Sequence, residues 1–201
     1  ELNFSRRKAA TFRYLPDGSL IGQGTVKDKT ETGQWKYTFS SGNITAKGEF
    51  NAQGKKTGVW SYYYFDGTLK GTETLKDGVL EGTSIDYHPN GNMSETVVFK
   101  NDKREGESKT WYYSGALSKI RQFKDNKLHG EVISYYSSGE LKQKAQYADD
   151  LMHGKFISFY RNGKTETEAD YVSDKLEGPC VGYHENGKKS FEGNYKADQL
   201  D

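Results

Sequence analysis

Hydrophobic and polar residues follow a repeating order along almost the entire chain. Each repeat has a short aromatic segment, such as VWSYYYF at residues 59–65, then a glycine, and then a segment in which apolar and polar residues alternate. Short segments of both kinds, bounded by turn residues, are typical of β-strands. The pattern therefore predicts two strands per repeat, with no helix between them.

Glycines mark this repeat at nearly constant intervals. One set lies between the two strands of each copy at spacings of 24 or 25 residues, and we predict these as turn glycines: Gly18, Gly42, Gly67, Gly91, Gly115, Gly139, Gly163 and Gly187. A second set opens most copies nine residues earlier: Gly33, Gly58, Gly82, Gly106, Gly130, Gly154 and Gly178, with Ala9 at the equivalent place in the first copy. We therefore expect a lead-in at residues 1–8 and one domain of eight copies at residues 9–201.

The residues around the turn glycines predict hairpins. Asp-Gly and Asn-Gly pairs between strand patterns are a strong hairpin signal, because these residues tolerate positive φ. The connections between copies are also short and rich in Asp, Asn, Lys and Gly, so consecutive strands should pair antiparallel. Roughly sixteen strands about 4.8 Å apart would span some 75 Å. The predicted fold is all-β, an elongated single-sheet antiparallel meander, or β-hairpin solenoid, of about eight 24-residue repeats.

Two rows of apolar residues are candidates for the spine of the sheet. Because equivalent positions of the copies form rows along a sheet, we assign one row to the first strands: Tyr14, Tyr63, Tyr87, Trp111, Tyr135, Phe159 and Tyr183. The other row lies near the ends of the second strands: Val26, Phe50, Leu75, Phe99, Phe123, Tyr147, Tyr171 and Tyr195.

The residue after each member of the first row should point to the other face. This third row contains the candidate partner-binding residues Tyr64, His88, Tyr112, Tyr136, Tyr160 and His184, preceded by Leu15 and Phe39. One interpretation is that these rings cover the back of a single-layer sheet. The other is a recognition stripe, because tyrosine offers a large contact area at low entropic cost and is enriched at interfaces.

The repeat resembles a known family. GVWSYYYFDGTL at residues 58–69 follows a G-x-[WFI]-x-x-[YF]-x-x-[ND]-G-x-[LI] pattern, and GEVISYYSSGEL at residues 130–141 follows it at most positions. This pattern is similar to MORN repeats, and in particular to the bacterial MORN variant of YwqK-family antitoxins. Thr165 and Lys189 depart from the aliphatic residue expected after the turn. The resemblance implies protein or membrane contacts and, for the bacterial variant, an antitoxin-like role.

Composition narrows the choice of partner. Lys and Arg number 29 against 28 Asp and Glu, so a net charge of +1 gives no field to attract nucleic acid or an anionic membrane. Only 33% of residues are hydrophobic, yet 14% are aromatic, which favours an ordered chain with a thin core. Cys180 is the single cysteine, so no internal disulfide can form.

The chain begins at Glu1, so an export leader removed earlier would leave no trace. Exported, periplasmic and cytoplasmic locations all stay open.

No motif indicates catalysis. Equivalent histidines, such as His129 and His153, should lie two strands or about 9.6 Å apart, too far for one zinc ion. The aspartates between copies lack the spacing of a calcium roll, and neither a nucleophile motif nor a phosphate loop is present. We therefore expect no enzyme activity, metal or cofactor, and a protein-interaction module or scaffold that is antitoxin-like or immunity-like. Edge-to-edge self-association and binding to membrane lipid are the alternatives.

Overall fold

The structure is a computed structural model that describes residues 9–201. The predicted lead-in at residues 1–8 lies outside the described residues. From Ala9 onward the chain forms nineteen β-strands and no helix. Its contacts divide it into two units, one of residues 9–92 with Phe99–Asp102 and one of Met93–Val98 with Lys103–Asp201.

The first unit is an antiparallel meander of eight strands in chain order. From β2 to β7 each strand pairs with the strand that precedes it, and β8 pairs with β6 beside β7. The strands are β1 (Ala9–Tyr14), β2 (Leu20–Lys27), β3 (Thr30–Thr38), β4 (Ile44–Phe50), β5 (Lys56–Tyr63), β6 (Leu69–Lys76), β7 (Val79–Leu80) and β8 (Gly82–Tyr87).

The second unit repeats this arrangement. It contains most of β9 (Met93–Lys100), whose last two residues belong to the first unit. The following strands pair antiparallel along the chain, and β11 pairs with both β12 and β13. They are β10 (Lys103–Trp111), β11 (Leu117–Lys124), β12 (Lys127–Leu128), β13 (Gly130–Tyr135), β14 (Leu141–Ala148), β15 (Leu151–Phe159), β16 (Thr165–Val172), β17 (Lys175–Tyr183), β18 (Lys189–Lys196) and β19 (Gln199–Leu200).

The predicted fold class is confirmed, since the described residues are all-β and form an antiparallel meander of hairpins. All eight predicted turn glycines have positive φ, between 81° and 103°. The N–H of Gly67 donates to the carbonyl of Tyr64 at 2.9 Å, and the other seven turns repeat this bond. Such a turn, closed by one residue in the left-handed region, belongs to a three-residue hairpin loop.

The aspartate before the glycine has a different role from the one predicted. Asp66 is not at positive φ; instead, its carboxylate accepts the N–H of Thr68 at 2.9 Å. Pairs of residues at positive φ occur in the connections between copies, for example Asp149 at 51° and Asp150 at 73°. Two consecutive residues at positive φ define a two-residue type I′ turn. Most copies therefore use different turns at their two ends, whereas the connection at residues 51–55 has the same bonds as the hairpin turns, with Gly54 at positive φ.

The turns between copies are bonded to one another. The carboxylate of Asp150 accepts the N–H of Leu128 at 2.8 Å, and the Asp150 N–H donates to the Leu128 carbonyl at 3.0 Å. The same reciprocal pair joins Leu80 to Asp102, Arg104 to Asn126, Met152 to Asp174, and Leu176 to Asp198. Each of these five connections is thereby fixed onto the preceding one.

The most deeply buried row was not among the two predicted spine rows. It lies two residues after each opening glycine, where the exposed fraction is 2% for Trp35, 1% for Trp60 and 1% for Ser108. Three members of the second predicted row are also buried on this face: Phe50, Leu75 and Phe123. The first predicted row lies on the opposite face, where members such as Trp111 are only half-buried. We call the face of Trp60 and Ser108 the core face.

Glycines make room for the two tryptophans on the core face of the first unit. A Cβ atom added to Gly24 would overlap the indole of Trp35, and one added to Gly48 would overlap the indole of Trp60. The Trp35 Nε1–H donates to the Thr25 carbonyl at 3.2 Å, and the Trp60 Nε1–H donates to a carbonyl at 3.0 Å. The large rings are thus buried in a single layer because the residues beside them have no side chain.

A polar network takes the place of a tryptophan in the second unit. Arg121 Nη2 lies 2.5 Å from Glu95 Oε1 and 3.3 Å from the hydroxyl of Ser108. The Nε of Arg121 is buried without a hydrogen-bond partner among the described residues. Since partly buried ion pairs contribute little net stability, this part of the core face should depend mostly on the neighbouring Phe123.

Candidate interaction surface

The predicted partner-binding residues lie at the hairpin turns. Each is the first residue of its turn, and its carbonyl accepts the N–H of the turn glycine. We call this set the turn row: Tyr64 and His88 in the first unit, and Tyr112, Tyr136, Tyr160 and His184 in the second. All are half-buried except His184, which is exposed. Within each unit the row therefore follows the turn ends of the strands and does not cross the middle of the sheet face.

The tyrosine hydroxyls of the turn row bind the main chain of the next copy. The Tyr64 hydroxyl donates to the Tyr87 carbonyl at 2.7 Å. In the second unit the same bond joins Tyr112 to Tyr135 at 2.8 Å, Tyr136 to Phe159 at 2.8 Å, and Tyr160 to Tyr183 at 2.6 Å. Since each bond spans 23 residues, the tyrosines hold adjacent copies together and their own rings become fixed.

Cations and exposed rings surround the turn row. The charged groups of Lys142 and Arg161 lie 5.7 Å and 5.0 Å from the ring centre of Tyr136, within the range of cation–π attraction. The residue that follows the turn row is aromatic in two copies, and its exposed fraction is 63% for Phe65 and 59% for Tyr113. The turn ends therefore present aromatic rings beside positive charge.

The groups with strongly raised pKa values lie on the core face. Burial, and next the neighbouring Glu31, raise the pKa of Tyr37 to about 12, and its hydroxyl is 3.1 Å from the Glu31 carboxylate. Burial, and next a hydrogen bond to Glu73, likewise raise the pKa of Tyr62. Burial also raises the pKa of the Cys180 thiol, which therefore stays protonated and unreactive. These groups are held in their neutral forms and have the character of packing residues.

The described residues offer no arrangement suited to a metal ion or a membrane-spanning helix. From Ala9 to Asp201, no three His, Cys, Asp or Glu side chains converge. His129 Nδ1 lies 3.9 Å from the carboxylate of Asp149, and the aspartates between copies are hydrogen-bonded to the preceding connection. Nowhere in this range does a helix occur that could cross a bilayer.

The sequence of the repeats identifies the family. A model described as the MORN repeat variant matches six consecutive segments: residues 56–77, 80–101, 104–125, 128–149, 152–173 and 176–197. The chain belongs to the MORN repeat family, whose repeats are protein or membrane interaction modules and typically non-enzymatic. The predicted resemblance is thereby confirmed at the level of the family.

Likeness to solved structures is weak. The crystal structure of TcdB2-TccC3 is 11% identical and aligns with 97% of this chain, which spans 14% of that protein, at a TM-score of 0.25. A porin-like protein from Bacteroides uniformis is 13% identical, with 96% of this chain and 90% of that chain aligned at a TM-score of 0.22. No curated protein matches the sequence.

Proposed function

We propose that this chain is a non-catalytic scaffold that binds a protein partner through the turn row. The observation that supports this proposal is the set of four hydroxyl bonds that fix Tyr64, Tyr112, Tyr136 and Tyr160. A ring that is already fixed loses little conformational entropy on binding, so its contact area contributes to affinity almost undiminished.

The chemistry of the turn row favours recognition through ring faces. Because the hydroxyls of the four tyrosines already donate to the next copy, the partner would meet mainly the ring carbons. Phe65 and Tyr113 extend this aromatic surface at the adjacent turn position. Since aromatic residues are enriched at protein interfaces and the net charge is only +1, a protein fits this surface better than nucleic acid or an anionic membrane.

An antitoxin-like or immunity-like role is the more specific form of this proposal. In that role the partner is a toxic protein, and the fixed rings cover its active surface. Co-expression of the captured partner with and without this chain tests it, because an antitoxin restores the growth that the partner alone prevents. Equal growth in both cultures would remove the antitoxin-like role and leave the scaffold.

The decisive experiment separates the rings from their hydroxyls. The wild-type chain and two variants are used as bait for lysate of the source cells after far-UV circular dichroism shows that each is folded. One variant changes Tyr64, Tyr112, Tyr136 and Tyr160 to Phe, which keeps the rings, and the other changes them to Ser, which removes them. We expect the wild type to retain the partner, the Phe variant to retain it more weakly because its rings are no longer fixed by their hydroxyls, and the Ser variant to lose it.

Other outcomes favour the alternatives. A partner retained equally by the Ser variant moves the interface away from the turn row. If light scattering shows that the chain grows into larger species with concentration while no other protein is captured, self-association through sheet edges replaces the proposal. Binding to anionic vesicles, lost at high salt, would instead indicate a lipid partner.

A further inference from the structure

A small cleft opens on the sheet face opposite the core face in the second unit. It lies across β15, β16 and β17, and its volume is about 110 Å³. We call it the β15–β17 cleft and define it by six of its lining residues: Lys155, Ile157, Glu168, Asp170, Pro179 and Val181. None of these belongs to the turn row.

Strand register explains how the β15–β17 cleft is built. Ile157 pairs with Glu168, and Glu168 pairs with Val181, so one carboxylate lies between two aliphatic side chains on a single face. Ile157 and Val181 are half-buried, and Pro179 beside them is exposed. The cleft therefore combines an apolar floor with a carboxylate at its centre.

The charges of the cleft do not balance. Asp170 lies 3.6 Å from the ammonium group of Lys155, which offsets its charge. Glu168 is exposed and has neither an ion pair nor a hydrogen bond among the described residues. One negative charge is therefore uncompensated above the apolar floor, and a cation brought to it would not have to break an existing pair.

We propose that the β15–β17 cleft receives a lysine or arginine side chain of a protein partner. The methylene groups of such a side chain pack on Ile157 and Val181, while the charged end reaches the carboxylate of Glu168. Long cationic side chains bind in this manner because their stems are apolar and only their tips are hydrated. A charge-assisted bond to Glu168 then adds direction to the contact.

This inference rests on the proposed scaffold function and adds a second, chemically distinct contact to it. The turn row supplies aromatic area, whereas the β15–β17 cleft selects partners that carry a cationic side chain next to apolar residues. Because Glu168 is exposed, its carboxylate adds a modest preference for a cationic over a neutral side chain, and the aliphatic residues beside it supply the rest of the contact.

The cleft can be tested without knowing the partner. Amide resonances of the full chain are followed by two-dimensional NMR during titration with a capped valine–arginine–valine tripeptide, and with the matched glutamine tripeptide as control. We expect saturable shifts at residues 155–157, 168–170 and 180–181 with the arginine peptide, and binding of the glutamine peptide that is weaker by roughly threefold to fivefold. Glu168→Gln should weaken this binding by roughly threefold to fivefold, as is typical of exposed ion pairs.

Glu131→Gln serves as the matched variant, since Glu131 lies on the same face at β13, outside the cleft, and should leave the affinity unchanged. Equal shifts with both peptides, shifts that lie elsewhere, or no shift at all would overturn the inference. Peptide binding at the cleft without any partner captured from lysate would contradict the scaffold function alone. If the chain does not bind the peptide, and the Glu168→Lys variant still captures the partner from lysate, the cleft is contradicted but the scaffold function is not.

Discussion

Trp60→Ala is the substitution that best tests the packing of the first unit. The side chain of Trp60 is 1% exposed, its ring centre lies 5.0 Å from that of Phe50, and the Nζ of Lys56 lies 4.3 Å from its ring centre. Its Nε1–H donates to the carbonyl of Glu49 at 3.0 Å. The variant therefore loses ring packing, a hydrogen bond and a cation–π contact together.

The expected loss follows from the buried area. A tryptophan that buries about 200 Å² at about 25 cal/mol per Å² contributes about 5 kcal/mol. Measured replacements of buried aromatic residues by Ala cost about 3 to 5 kcal/mol, so we expect about 4 kcal/mol for Trp60→Ala. Trp111 is less deeply buried on the opposite face and should cost about 2 to 3 kcal/mol when replaced by Ala, since part of its surface remains in water in both states.

Urea unfolding followed by far-UV circular dichroism measures both losses in the same chain. Trp60→Phe is the intermediate variant, because it keeps a ring but not the indole hydrogen bond. The reasoning fails if Trp111→Ala destabilises the protein as much as Trp60→Ala. In that case the row of Trp111 would be the spine, as the sequence alone predicted.

Three further predictions concern the core face and the turn row. Gly48→Ala should destabilise the protein by about 1 to 3 kcal/mol, measured by urea unfolding, because the added methyl group overlaps the Trp60 ring. Tyr160→Phe should cost about 1 kcal/mol in the same assay, whereas Tyr147→Phe, which removes a hydroxyl without a hydrogen bond, should cost almost nothing. Since an unfolded tyrosine ionises near pH 10 and Tyr37 only near 12, stability should fall between these pH values, and Tyr37→Phe should reduce that fall.

The sequence predicted the fold because its signals are local and repeated. Turn glycines at intervals of 24 or 25 residues, such as Gly67 and Gly163, fix where each hairpin reverses, and all eight have the positive φ that favours glycine. Strand alternation then assigned neighbouring residues to opposite faces. Both properties depend on a few consecutive residues, so no information about distant contacts was needed.

The choice of the buried face required information that strand alternation does not supply. The row of Trp111 is more uniformly aromatic, whereas the core-face row contains Ser108 and does not stand out in the sequence. The face that becomes buried depends on how side chains fit across strands. The sequence did contain a signal for the buried face. Trp35 lies beside Gly24 and Trp60 lies beside Gly48, so each large side chain is next to a residue that has none.

The position of the turn row was predicted only in part. The sequence placed Tyr64 and Tyr136 in one row, but it did not indicate which groups their hydroxyls bind. In the structure each hydroxyl donates to a carbonyl 23 residues later. This bond depends on the offset between adjacent hairpins, which follows from the bulges and turns together and not from any single segment.

The repeated bonds of the turns between adjacent copies end on main-chain atoms at one or both partners. The Tyr160 hydroxyl binds the carbonyl of Tyr183, and the carboxylate of Asp198 binds the N–H of Leu176. Since every residue carries a carbonyl and all but proline carry an N–H, a copy needs no particular neighbour in order to be joined. Duplication or deletion of one copy in the gene would therefore keep these main-chain bonds, whereas a copy that carries Trp35 or Trp60 must still follow a copy with a glycine at the position of Gly24 or Gly48.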